Sequence, residues 1–71
     1  MERKLFKEVW IMRFEKMLRL EEESILVYED FLKNKKLSKE DEKQVKALMI
    51  DEKNHAKLVK ELIKIVKQQE D

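Results

Sequence analysis

Residues 45–66 read VKALMIDEKNHAKLVKELIKIV, and the spacing inside this stretch decides the fold. Val45, Leu48, Glu52, His55, Val59, Leu62 and Val66 follow one another at alternating intervals of three and four, which lays them along one stripe of an α-helix. The stripe is apolar towards both ends and carries a carboxylate and the chain's only histidine in its middle. Glu52 and His55 are i and i+3, so both leave the same face and can grip one ion.

The preceding half of the chain has the same rhythm. Trp10, Phe14, Met17, Glu21, Ser24, Tyr28 and Phe31 are spaced alternately by four and three, a period of about 3.5 residues. This predicts a helix over about residues 3–35. Asn34-Lys35-Lys36-Leu37 breaks the pattern, with the reversal at about 36–37. Ser38 followed three residues later by Asp41 resembles a capping box with Asp in place of the usual Glu or Gln. A second helix is expected over about 38–68, fraying into the polar tail 67–71. The 71 residues therefore read as a single all-α unit, an antiparallel hairpin of two helices about 45 Å long.

Composition agrees with this and excludes several classes of function. Gly, Pro and Cys are absent and 46% of residues are charged, which suits uninterrupted helices and leaves no thiolate metal site, disulfide or thiol redox chemistry. A net charge of +1 lacks the basic excess that phosphate backbones require, so no nucleic-acid partner is expected. No apolar run approaches the roughly 20 residues of a membrane span, and the start, with Glu2 among its first charges, has no signal-peptide pattern. The expectation is a soluble, cytoplasmic chain with no membrane role. Abundant Lys and Glu with few Asn and Gln would suit heat tolerance. A chain this short without disulfides is expected to need a partner, a metal or both.

The hairpin fixes which residues lie level. With the reversal between Lys36 and Leu37, Trp10 lies level with Ile63, Phe14 with Val59 and Tyr28 with Val45. Glu21 is level with Glu52. Each is the one carboxylate in the stripe of its helix, and each sits near mid-helix. A lone hairpin leaves its seam open, and the most economical cover is a second copy related by a two-fold axis, giving a homodimeric four-helix bundle. Two Glu21, two Glu52 and two His55 then meet in one core. Four carboxylates in an apolar core are very costly unless neutralised, and two divalent cations would neutralise them. The first helix carries further apolar surface in Leu5, Val9, Met12, Leu20 and Val27, which leaves room for a higher homo-oligomer.

A glutamate on each of two helices and a Glu-x-x-His on each of two others is the ligand set of ferritin-like di-iron and di-manganese carboxylate proteins. The chain resembles half of one. The stretch from Glu21 to Tyr28, with the tyrosine seven residues after the glutamate, and Asp51-Glu52-Lys53-Asn54-His55 are similar to the rubrerythrin-like branch, over about residues 18–63. In size the chain is similar to the two-helix encapsulated ferritins. Rubrerythrins also carry a cysteine-ligated rubredoxin domain, which a chain without Cys does not contain. The resemblance implies Glu21 as a bridging or terminal ligand, Glu52 as the bridging carboxylate and His55 as the nitrogen ligand. It also implies Asp51 as a group orienting a histidine. Tyr28 is expected as a packed seam aromatic with its hydroxyl near the acidic cluster, and Glu22 is a possible substitute ligand. Implied with these are two iron ions per dimer, with manganese or zinc as alternatives, an external electron donor, and an oxidoreductase of ferroxidase or peroxidase type serving iron handling or oxidative-stress defence. The competing reading is a metal-free helical homo-oligomer acting as a scaffold or interaction module.

Overall fold

The computed structural model describes residues 3–33 and 36–69, and side chains from Phe6 onward. It has two helices, α1 (Arg3–Leu32) and α2 (Lys39–Lys67), packed antiparallel along their lengths. Among the described residues there is no strand, and no helix is long and apolar enough to cross a membrane. The Cα radius of gyration is 16.5 Å and the extents are 54 × 14 × 13 Å. A compact domain of this length would have a radius of gyration near 11 Å. The hairpin is a rod, two helices thick in one direction and one in the other.

Both ends of α2 are made by side-chain and backbone chemistry legible in the sequence. Ser38 is extended (φ −68°, ψ 159°), and its Oγ accepts the Asp41 N–H at 3.1 Å. Ser38 is thus the cap, and the helix begins one residue later than expected. Glu40, Asp41 and Glu42 in the first turn and Lys64 and Lys67 in the last complement the helix dipole. The α1 helix stops at Leu32, about three residues early, where the Lys33 N–H reaches back to the Asp30 carbonyl at 3.1 Å in a tightened final turn. Asn34 and Lys35 of the expected turn lie outside the described residues. At the far end, Lys7 Nζ donates to the Gln69 carbonyl at 2.6 Å, tying the start of α1 to the end of α2.

The packed seam is rotated from the one the sequence spacing suggested. On α1 the half-buried row is Ile11, Phe14, Leu18, Glu21, Ile25, Tyr28 and Leu32. Met17 and Phe31, expected in the seam, are 45% and 47% exposed. On α2 the row is Val45, Met49, Glu52, Ala56, Val59, Ile63 and Val66, whereas Leu48 and Leu62 are exposed. Among the described residues only Ala56 and Val59, at 6% and 5%, are buried. The reason is on the flanks of the hairpin. Glu8, Glu15, Glu22 and Glu29 recur every seven residues on α1, and Lys39, Lys46, Lys53, Lys60 and Lys67 every seven on α2. In the antiparallel register these rows run along the same edge, opposite in sign, and they turn that edge to water. The expected stripe leans towards the other edge, which is apolar and exposed. Leu5, expected beside the seam, lies outside the described side chains.

Candidate metal centre

Glu21 and Glu52 both belong to the packed rows, each near the middle of its helix, and the antiparallel register brings them level across the seam. His55 lies one turn beyond Glu52, on the row next to the seam and on the apolar edge. Its side chain is 56% exposed, against 22% for Glu21, so the imidazole borders the open face while the carboxylates sit further in. One ligand atom from each of Glu21, Glu52 and His55 lies within 4.8 Å of the other two. That separation is what one cation, or a pair sharing carboxylates, would have to draw together.

The electrostatics of the trio are unbalanced without a positive charge. Glu21 Oε2 is buried and has no hydrogen-bond partner. His55 Nδ1 lies 3.9 Å from it, beyond hydrogen-bond reach. The Glu52 carboxyl is held above the ordinary carboxylate range. Its hydrogen bond with the Glu21 side chain is the main cause, partial burial and the Glu21 charge add to it, and His55 opposes them. The repulsion between two carboxylates facing each other is relieved by a shared proton or by a cation. The donor set of two carboxylates and one imidazole per chain suits ferrous iron, manganese or zinc. The residues present fit such an ion.

No family model, curated protein or solved structure matches this chain. The chemistry of the site rests on the trio itself.

The other residues singled out in the sequence lie outside this group of three. Asp51 and Glu22 are exposed, and Glu22 falls in the charged row of α1 that runs beside Lys53. Tyr28 is half-buried two turns beyond Glu21, about 10 Å along the helix, where it lines a shallow depression with Leu20, Glu23, Ser24 and Val27. The aromatic contacts gather at the opposite end of α1. Trp10 meets Phe6 edge-on at 6.1 Å and Phe14 at 5.6 Å, and the Arg13 guanidinium lies 5.0 Å from the Trp10 ring centre. Sequence spacing placed Trp10 and Phe14 together, but the cation over the ring needed coordinates.

Proposed function

We propose that this chain is one half of a two-metal carboxylate centre completed by a second copy, in the manner of the ferritin-like proteins it resembles. Glu21, Glu52 and His55 of each copy hold the ions, and Asp51 orients a histidine. The observation that carries the reading is Glu21 Oε2, a buried anionic oxygen without a donor, facing a second carboxylate and an imidazole within one ligand sphere. Leaving such a group uncompensated costs about 1–3 kcal/mol, which a bound cation removes. Two ferrous ions held there would supply electrons to dioxygen or peroxide, and the reaction class is oxidation of ferrous iron or reduction of peroxide, with an external electron donor for turnover. The chain's own contribution is to fix the spacing of the carboxylates, to exclude water through Ala56 and Val59 one turn away, and to leave one side of the site open beside His55. The role proposed with that chemistry is iron handling or oxidative-stress defence in the cytoplasm.

Anaerobic ferrous titration of the metal-free protein, read by native mass spectrometry, tests the proposal. Two irons per two chains are expected, with Glu52→Gln and His55→Ala each losing bound metal and ferrous oxidation together. An oligomer indifferent to metal, with these variants assembling as the wild type does, overturns it. Glu21, Glu52 and His55 would then be a structural polar layer in a helical scaffold.

A further inference from the structure

The hairpin exposes more surface than its mass warrants. A compact monomer of this size has about 4,800 Å² accessible, whereas this 8.8 kDa chain has 6185 Å². The excess of about 1,400 Å² is larger than the ~800 Å² that each partner gives to a standard interface. Charge indicates where the excess belongs. One edge of the hairpin is lined by the Glu row of α1 and the Lys row of α2, charged along its length and opposite in sign. The opposite edge of α1 carries Phe6, Met17, Leu20, Val27 and Phe31, between 45% and 64% exposed. Arg13 and Ser24 are the polar residues among them.

We infer that this apolar edge is covered by a second copy of the chain, docked about a two-fold axis perpendicular to the helices so that α1 runs antiparallel against α1 of the second copy. The inference rests on the reading that two copies complete the metal centre, and it names the face and the arrangement. With full-length overlap only two closed arrangements keep the trios at one height. An axis parallel to the helices would set α1 beside α2 of the second copy in the register of the hairpin itself. On the facing edge of α2, Asp51 would then come within about two residues of level with Leu20, Gln44 with Val27 and Asp41 with Phe31, setting carboxylates and an amide beside hydrocarbon. With α1 against α1, Trp10 lies level with Phe31 of the second copy and Met17 with Ser24 of the second copy, apolar on apolar and large on small. In the same arrangement Asp51 comes within about one residue of level with His55 of the second copy, a carboxylate beside an imidazole. The perpendicular axis sets Asp51 beside an imidazole where the parallel axis sets it beside hydrocarbon.

The chain has no cysteine, so a single introduced thiol reports one distance. A nitroxide on Lys33→Cys, at the turn end of α1, separates the two arrangements. The perpendicular axis puts the two labels at opposite ends of the bundle, about 40 Å apart. The parallel axis puts them at the same end, about 20 Å apart. Sedimentation of Val27→Glu and Leu26→Glu tests the face, because these neighbours are almost equally exposed at 64% and 63% but are turned about 100° from each other around α1, and only Val27 falls on the apolar edge. Val27→Glu is expected to weaken dimerisation at least tenfold, and Leu26→Glu to change it less than twofold. A dimer with labels about 20 Å apart overturns the arrangement while sparing the two-copy reading. A dimer broken by Leu26→Glu and not by Val27→Glu overturns the face. A chain that stays monomeric with and without ferrous ion overturns both readings.

Discussion

Replacing Glu21 with methionine separates a metal site from a structural polar layer by the sign of one measurement. Methionine keeps the length and the unbranched shape of glutamate, so packing against Glu52 and the neighbouring apolar row is conserved. What disappears is the buried oxygen without a partner and one member of a carboxylate pair. An unsatisfied buried polar atom costs about 1–3 kcal/mol. At roughly 4–8 °C per kcal/mol for a domain of this size, a central figure of ~2 kcal/mol raises the melting temperature by about 8–16 °C. The assay is thermal unfolding followed by circular dichroism in chelated buffer, with chain concentration held fixed because unfolding includes dissociation. Adding manganous or ferrous ion reverses the order. Wild type gains about 2.7 kcal/mol at a hundredfold excess over Kd, and Glu21→Met gains nothing. A methionine variant that melts lower than wild type in chelator would refute the reasoning, because Glu21 would then be contributing a favourable contact to His55.

The raised Glu52 pKa has a definite sign in the metal-free protein. The folded chain holds that proton to higher pH than the unfolded chain does, so the associated stability is present below the ordinary carboxylate range and is lost as pH rises through the raised value. Urea midpoints measured across this window should fall with pH in wild type and flatten in Glu52→Gln, while manganese affinity rises over the same interval as the proton leaves. Ser38→Ala should cost about 1 kcal/mol by removing the acceptor for the Asp41 N–H, and Ser38→Gly only a few tenths. Neither should change metal stoichiometry. Lys53→Glu places a carboxylate in the row beside Glu22, and its cost should stay below about 1 kcal/mol and shrink in salt, as expected for exposed charges. A salt-independent loss in denaturant titrations would mean that Lys53 does more than complement that row.

Much of the fold was legible because helix periodicity, the cap at Ser38 and the absence of Gly and Pro all point the same way. The level pairing of Glu21 with Glu52 needed only the position of the turn. The phase of the seam was not legible in the same way. A 3.5-residue period follows any two neighbouring rows of a heptad equally well, and anchoring the count on Glu52 and His55 drew it through the exposed edge. Leu18, Ile25 and Leu32, with Met49, Ala56 and Ile63, fill the seam instead of Met17, Phe31, Leu48 and Leu62. The signal that fixes the phase was present in the seven-residue recurrence of Glu8, Glu15, Glu22 and Glu29 against Lys39, Lys46, Lys53, Lys60 and Lys67. Charge rows mark the watered edge more sharply than apolar residues mark the dry one. The orphaned oxygen of Glu21 was beyond sequence reading altogether, since it depends on which rotamers the two carboxylates adopt.

The contact between Lys7 and Gln69 has a consequence for engineering. It holds the start of α1 and the end of α2 together at the end of the rod away from the turn, and in the perpendicular arrangement the same elements of the second copy lie at the other end. A single-chain version made by joining two copies therefore needs a connector that travels the whole bundle, 54 Å, which takes at least about 15 extended residues. Shorter tethers would force the copies into the other orientation or into chains of molecules, so a series of linker lengths would read the symmetry axis from which tethered pairs stay closed.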